Sequence, residues 1–313
     1  MRIHLGTPAV SDRPMALTIG NFDGVHLGHQ AMLHALRLAA GSLGLATGVV
    51  TFEPHPREFF SPNEAPPRLT TLREKLELLE AAGIDQVSVL RFNRTLAAMP
   101  AETFISAWLV ERLRTRWLLV GDDFRFGARR AGDFETLQRA GATQGFECFA
   151  LSSIMAAGQR VSSSAVREAL AGGHMELARQ LLGRPFFMSG RVSPGQQLGR
   201  TLGYPTANLR LNRRVSPLSG IFAVTVTGLG PQPRIGVASL GTRPTVSSSG
   251  QWLLEVHLFD FDSTIYGARI HVHFMHKIRD EVQFDSLEIM TRQMARDAAA
   301  ARDYFAQATD PTT

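Results

Sequence analysis

Short apolar runs at Ala16–Ile19, Ala46–Phe52, Gln86–Phe92 and Arg116–Val120 alternate with stretches in which apolar residues recur at helical spacing. Helices are expected from Leu27 onward, over Leu72–Ala82 up to Gly83, and over Glu102–Leu113 after Pro100. Strand and helix in repeated succession build a parallel sheet with right-handed crossovers and helices on both faces, a doubly wound arrangement. A further strand, Phe146–Leu151, extends the series, and helical pattern then runs through Leu182 to Gly183. Beyond Arg184 the texture changes. Phe186–Val192, Ile221–Leu229, Ile235–Leu240, Trp252–Phe259 and Ile270–Lys277 are short alternating segments divided by turn residues, the pattern of a five- or six-stranded antiparallel barrel. Asp285–Gln307 follows as a helix whose Leu287, Met290, Met294, Ala298, Ala301 and Phe305 form one apolar stripe, to lie on the barrel or on the first domain. The expected fold class is α/β + β. Residues 1–183 form an N-terminal doubly wound parallel-sheet domain, and residues 184–313 a small antiparallel β-barrel domain with a C-terminal helix.

At 313 residues and 44% hydrophobic, the chain has enough apolar material for two such cores. Its one cysteine, Cys148, excludes an intramolecular disulfide and a multi-cysteine zinc site, and a reducing cytoplasm is the expected compartment. Cys148 itself reads as a small buried hydrophobe. There is no basic-then-apolar leader, and no apolar run nears the roughly 20 residues of a membrane span, so a soluble protein is expected. The net charge of +5 is spread among 28 acidic residues without a basic run, which disfavours nucleic acid and suits anionic small molecules.

The stretch Leu17–Leu33, LTIGNFDGVHLGHQAML, carries the strongest chemical signal. Gly20 and Gly24 permit a tight turn between strand and helix, and His26 and His29 fall at the first helical turn, able to point the same way. Backbone N–H groups and the positive end of the helix dipole favour an anion there. Imidazole donors added to such a site could hold phosphates and stabilise charge on a phosphorus under attack, as nucleotidyl transfer needs. Taken alone, the two histidines suit equally a surface or capping role or a pair of metal ligands. His-X-Gly-His after a strand, preceded by Asn21-Phe22-Asp23-Gly24, resembles the nucleotide-binding signature of the adenylyl- and cytidylyltransferase superfamily. Phe22-Asp23-Gly24-Val25-His26 with Gly28-His29-Gln30 resembles, more narrowly, the bacterial FAD synthetases. The resemblance implies ATP binding by Gly20, Asn21, Phe22, Asp23, His26 and His29, with both histidines catalytic.

Other strand ends carry matching pieces. Glu53-Pro54-His55-Pro56 follows the second strand, and its prolines are expected to forbid helix and hold an extended loop where parallel sheets place their ligands. It resembles a Pro-His-Pro turn beside the flavin in FAD synthetases, which implies flavin contacts for His55 and Pro56. Gly121-Asp122-Asp123-Phe124-Arg125-Phe126-Gly127 resembles that family's flavin-side loop and implies that Asp123, Phe124 and Phe126 line the isoalloxazine pocket. Asp123 stands where many members carry Asn, and the two phenylalanines suit core packing as well. Arg160-Val161-Ser162-Ser163-Ser164-Ala165-Val166-Arg167 places hydroxyls at a helix start as caps and anion donors, with Arg167 one turn in. It resembles the superfamily's Ser-Ser-Thr-X-Ile-Arg phosphate motif, with Ser164 replacing Thr and Val166 replacing Ile, and so adds Arg160, Ser162, Ser163, Ser164 and Arg167 to the implied ATP set.

In the second half, Gly195, Gly199 and Gly203 make a glycine loop, and Thr206 and Asn208 offer hard oxygen ligands suited to hydrated Mg²⁺ with phosphates. On spacing alone a polar hairpin fits as well. Pro205-Thr206-Ala207-Asn208 resembles the Mg²⁺–ATP motif of riboflavin kinases. Gly220-Ile221-Phe222-Ala223, Gly241-Thr242-Arg243-Pro244-Thr245, Leu254-Glu255-Val256-His257-Leu258, Tyr266-Gly267 and Ile278-Arg279-Asp280-Glu281 resemble later pieces of that family, in order. The implied kinase set is Gly190, Gly199, Arg200, Gly203, Thr206 and Asn208 for ATP, Thr206 and Asn208 for the metal, and Thr245, Glu255 and Arg279 for flavin. Glu255 is the implied catalytic carboxylate, accepting the ribityl 5′-hydroxyl proton. A glutamate on a strand is otherwise a solvated residue or half of an ion pair.

The resemblance runs from Leu17 to about Phe305 and implies a bifunctional riboflavin kinase and FMN adenylyltransferase. The barrel would make FMN, and the N-terminal nucleotidylyltransferase domain would join AMP to it with release of pyrophosphate. ATP and Mg²⁺ are implied, with riboflavin, FMN and FAD as substrates and products. No nucleic acid and no membrane are expected as partners, and a weak homo-oligomer is compatible with the sequence. Two rivals are a single-activity nucleotidylyltransferase with a non-catalytic barrel, and a basic nucleic-acid-binding or regulatory protein.

Overall fold

The computed structural model describes residues 1–194, 203–211, 213–243 and 251–308. It divides into two compact units, Met1–Pro66 with Leu72–Ser162, and Pro67–Thr71 with Ser163–Thr313.

The first unit runs β1 (Arg2–Leu5), β2 (Met15–Ile19), α1 (Leu27–Leu43), β3 (Ala46–Glu53), α2 (Pro56–Phe60), α3 (Leu72–Ala81), β4 (Gln86–Arg91), α4 (Arg94–Ala97) and α5 (Ala101–Thr103). A π-helix over Phe104–Arg112, β5 (Thr115–Gly121), α6 (Phe134–Gln144), β6 (Glu147–Leu151) and a hairpin of β7 (Met155–Ala156) with β8 (Gln159–Arg160) complete it. One six-stranded parallel sheet has the order β1-β4-β3-β2-β5-β6. Alternation along β2 sends Ala16 to one face, with Leu33 and Leu36 of α1 and Leu79 of α3. Leu17 and Ile19 go to the other, with Ile105 and Leu109 of the π-helix and Leu137 of α6. This is the doubly wound sheet read from the sequence. Its order reverses at β2, whose neighbours β3 and β5 lead to opposite edges, and such a reversal opens a crevice beyond the carboxyl ends of the strands.

Three local readings need correction. The prolines around His55 do not forbid helix: Pro56 occupies the first turn of α2, where a missing N–H costs nothing, and His55 is the N-cap, in a reciprocal capping box with Glu58. The helix expected over Glu102–Leu113 is a short α-turn followed by the wider π winding, because apolar spacing over nine residues does not separate the two periods. The helical pattern up to Gly183 is two helices, α7 (Ser163–Ala171) and α8 (Met175–Leu182), parted at Gly172 and Gly173, the latter in the left-handed region at φ 74°.

In the second unit α7 and α8 precede β9 (Phe186–Ser193), β10 (Ala207–Arg210), β11 (Gly220–Thr227), β12 (Arg234–Arg243), β13 (Gln251–Leu258), β14 (Arg269–Arg279) and α9 (Leu287–Ala308). The six strands close into an antiparallel barrel in the order β10-β13-β12-β11-β14-β9. Phe222, Phe274, Leu254, Val256 and Leu240 are fully buried, so the barrel is packed with side chains. The strand β10 is absent from the sequence reading, since its four residues sit inside a polar turn-like stretch too short to show a period. The terminal helix lies on the barrel, with Ala298 and Ala301 against Ala223 and Phe259, while Leu287 at the start of its stripe is exposed.

Candidate functional site

The turn after β2 is held under backbone strain. Phe22 and Val25 are in the left-handed region at φ 49° and 41°, costly for an aromatic and worse for a β-branched residue, with Gly24 between them at 83°. Phe22 and Val25 are also buried, and Gln30 Nε2 donates to the Val25 carbonyl at 2.9 Å, so packing and the first turn of α1 over-determine the conformation. His26 caps α1: its Nδ1 accepts the His29 N–H at 3.4 Å, which leaves the proton of the neutral ring on Nε2. A Cβ at Gly28 would sit 3.2 Å from the His26 ring, so a larger residue there would press on the cap. The imidazoles of His26 and His29 stack at 3.7 Å between centroids, and Phe22 lies 4.9 Å from His29 on its own side.

A cavity of about 670 Å³ opens over this turn. Gly20, Asn21, Phe22, His29, Pro56, Asp123, Phe124 and Phe126 all line it, which joins the opening motif to the two loops read as flavin-side. The Asn21 Oδ1 is a buried acceptor with no hydrogen-bond partner among the described residues. His26 and Asp23 are buried and are not among the lining residues, nor is His55. Arg160 reaches Asp123 Oδ2 at 2.8 Å, so the residue that departs from the resembled pattern is neutralised by a neighbour in the ATP set. Ser162 ends the first unit, whereas Ser163, Ser164 and Arg167 belong to α7 in the second, where Arg167 Nε donates to the Pro67 carbonyl at 2.6 Å.

Sequence reading missed the cations of this cavity. Arg57, Arg125, Arg129 and Arg130 line it together with Phe52, Phe60, Phe92 and Phe104. Arg129 and Arg130 both have left-handed backbones, at φ 54° and 59°. Gly127 presses against Ala101, and Phe126 and Gly132 exchange backbone hydrogen bonds at 3.0 and 2.9 Å, which sets the turn that carries them. An Arg-Arg pair between two glycines was the available signal.

On the barrel, register assembles the second site. Asn208 of β10 is the cross-strand partner of Glu255 of β13, and Glu255 is in turn the partner of Ser239 of β12. Leu254 and Val256 are fully buried inside, so Glu255 points outward and this row lies on the outer face. Asn208 Nδ2 donates to the Thr206 carbonyl at 3.2 Å and to Thr206 Oγ1 at 3.4 Å, leaving its buried Oδ1 without a partner among the described residues. An orphaned amide oxygen beside a threonine hydroxyl fits a hard cation, and no group of three or more His, Cys, Asp or Glu that could hold a metal occurs among the described residues. Both residues line a cavity of about 330 Å³ with Asp262, Ser263 and Tyr266, the last from a segment that resembles the riboflavin kinases.

Arg279 is committed elsewhere: Nε and one Nη bind both carboxylate oxygens of buried Asp297 in α9 at 2.9 and 2.6 Å, and the other Nη donates to the Asp280 carbonyl. Gly190 packs under Leu209, where a Cβ would sit 3.0 Å away, and Gly203 has a left-handed φ of 83°. Gly195, Gly199, Arg200, Pro244 and Thr245 lie outside the described residues. Cys148 is partly buried, and burial pushes its thiol up to about 12, the behaviour of an inert side chain.

The sheet with its strained histidine turn and the barrel with its amide–carboxylate row define a nucleotidyltransferase joined to a small-molecule kinase. Family models agree with each half: FAD synthetase matches residues 9–165 and riboflavin kinase residues 182–305. A bifunctional riboflavin kinase/FMN adenylyltransferase of Escherichia coli K12 is 49% identical over 97% of this chain and 98% of its own length. The Haemophilus influenzae protein of the same description is 48% identical over 93% of this chain and 94% of its own. The chain belongs to the bifunctional riboflavin kinase/FMN adenylyltransferase family. A crystal structure from Streptococcus pneumoniae, described as a macrolide-efflux protein, superposes with a TM-score of 0.82 at 27% identity, covering 96% of this chain and 99% of that one. No helix among the described residues of the present chain is long and apolar enough to cross a membrane.

Proposed function

We propose that the two sites act in series on one flavin: the barrel phosphorylates riboflavin to FMN with ATP, and the sheet domain adenylylates FMN to FAD, with the division of labour falling near Gly183. The observation that carries this reading is the pairing of two separately built sites on one chain, the histidine turn over its 670 Å³ cavity and the Asn208–Glu255 row.

In the barrel, the ribityl 5′-oxygen forms a bond to the γ-phosphorus as the bond to ADP breaks, and Glu255 accepts the hydroxyl proton. Thr206 and Asn208 would hold Mg²⁺ through side-chain oxygens. The ion would offset phosphate charge and keep water and phosphate as its other ligands. In the sheet domain, a phosphate oxygen of FMN attacks the α-phosphorus of ATP and pyrophosphate leaves, so no general base is required. The work is electrostatic: His29 donates to the phosphate under attack, the His26 cap and the strained turn hold it in place, and the cavity arginines offset the charge of the two anions. The aromatic walls, with Phe124 stacked on Phe126 at 5.5 Å, suit an isoalloxazine ring.

The partners are thus riboflavin, FMN and ATP, with no nucleic acid, in a cytoplasmic protein. Purified protein given riboflavin, ATP and Mg²⁺ should yield both FMN and FAD by HPLC. FAD from supplied FMN without any FMN from riboflavin would reduce the barrel to a binding module.

A further inference from the structure

One carboxylate beside the kinase row has no role so far. Glu281 follows β14, and Ser239 Oγ donates to its Oε1 at 3.4 Å. Its carboxylate lies directly over Gly241 of β12, where any Cβ would run into both carboxylate oxygens. The nearby cations are engaged by other acids: Arg279 by Asp297, and Lys277 by Asp280 at 2.6 Å. Ser239 is the cross-strand partner of Glu255 and donates to Glu281, which places the two acids on one patch, and burial, then to a lesser degree the negative charge of Glu255, push the Glu281 carboxyl above its usual range.

The order of groups along the row is informative. Asn208, with its cation-ready oxygen, is on one side of Glu255, and Ser239, carrying Glu281, is on the other. If Glu255 takes the 5′-hydroxyl proton, the phosphoryl donor belongs on the Asn208 side, and the rest of the ribityl chain belongs on the Ser239 side. A polyol there needs acceptors, and an ionised carboxylate is the strongest one available. We propose that Glu281, positioned by Ser239 and Gly241, is a second substrate carboxylate of the kinase site and accepts hydrogen bonds from the secondary hydroxyls of the ribityl chain. This inference rests on the reading of Glu255 as proton acceptor.

Two variants of the full chain test it. Glu281→Gln removes the charge at constant size. Gly241→Ala leaves the carboxylate intact but displaces it, and the barrel can tolerate this because the clash is with the end of a flexible side chain. Each should raise the kinase KM for riboflavin roughly tenfold to a hundredfold, the equivalent of one lost hydrogen bond to a charged group. KM for ATP, and FAD formation from FMN, should stay at the unmodified protein's values. Lumiflavin, which has the ring without the ribityl chain, should inhibit unmodified and variant kinases equally. An unchanged riboflavin KM in Glu281→Gln, or an equal weakening of lumiflavin, overturns the assignment. Glu255→Gln, assayed in parallel, separates the two readings: if it keeps full kinase turnover, the proton-acceptor reading falls and the ordering of the row falls with it. An inactive Glu255→Gln beside a Glu281→Gln of normal riboflavin KM sinks the Glu281 assignment alone.

Discussion

His29 combines three constraints in one residue: the first turn of α1 positions it, His26 stacks against it, and it lines the cavity that four arginines also line. Replacing it with Ala should slow FAD formation about a hundredfold to a thousandfold, the loss of one donor to a phosphate in the transition state, while FMN formation persists. FAD synthesis at a near-normal rate would make the ring structural. At Glu255, Gln keeps the shape and removes the basic oxygen, and FMN output from riboflavin should drop by roughly a hundredfold or more. FAD output from supplied FMN should be unchanged in the same preparation, and a joint collapse of both activities would indicate a damaged fold. These residues were legible because motif spacing carries them. Arg129 and Arg130 were not, since the left-handed backbone that turns them to the cavity depends on Gly127 packing against Ala101, residues far apart in the chain.

Among the elements, α9 is bound to the barrel by one buried ion pair as well as by its small apolar face. Asp297→Ala would leave the Arg279 guanidinium largely buried with its partner gone, a change that typically costs about 3–5 kcal/mol. The lower end applies, because the Arg279 side chain keeps 21% exposure. The unfolding midpoint should fall accordingly, with exchange protection lost first in α9; an unaltered midpoint would show that the apolar contacts suffice. On β14, burial and then the charges of His271 and Arg184 push His273 down to about 4 from 6.5, while Thr227 Oγ1 lies 3.2 Å from its Nε2. The folded barrel therefore favours the neutral ring, and the unfolded chain takes up the proton first as pH falls. Stability should be full above pH 6.5 and decline toward pH 4. Chemical denaturation across that window should show a flatter profile for His273→Gln. Sequence pattern located both elements, but neither the ion pair nor the burial of this histidine has a local signature.

At the scale of the whole molecule, the division proposed near Gly183 does not coincide with the packing, which parts the chain between Ser162 and Ser163. Met175, Ala178, Leu181 and Leu182 of α8 are buried, and α8 packs on β9 and β14. The segment Pro67–Thr71 also belongs to the second unit, where Arg213 donates to the carbonyls of Arg68 and Leu69. Both fragments starting beyond Ser162 lack Pro67–Thr71, but one beginning at Ser163 keeps α8 and should fold and phosphorylate riboflavin more robustly than one beginning at Arg184. The shorter one exposes the β9 and β14 face that α8 covers, at about 1.5–3 kcal/mol for each large apolar side chain uncovered. Melting temperatures of the two fragments, with FMN output from each, decide the matter; equal stability would show α8 to be an appendage of the barrel. The sequence alone determined the doubly wound sheet, the barrel, and the motifs of both activities, because apolar periodicity and glycine turns are local and repeat along the chain. The tertiary structure decided which segments complete each unit, which arginines face the cavity, and that Asn208, Glu255 and Ser239 stand in one row. Such pairings join residues distant in sequence through packing and strand register, and no local pattern encodes them.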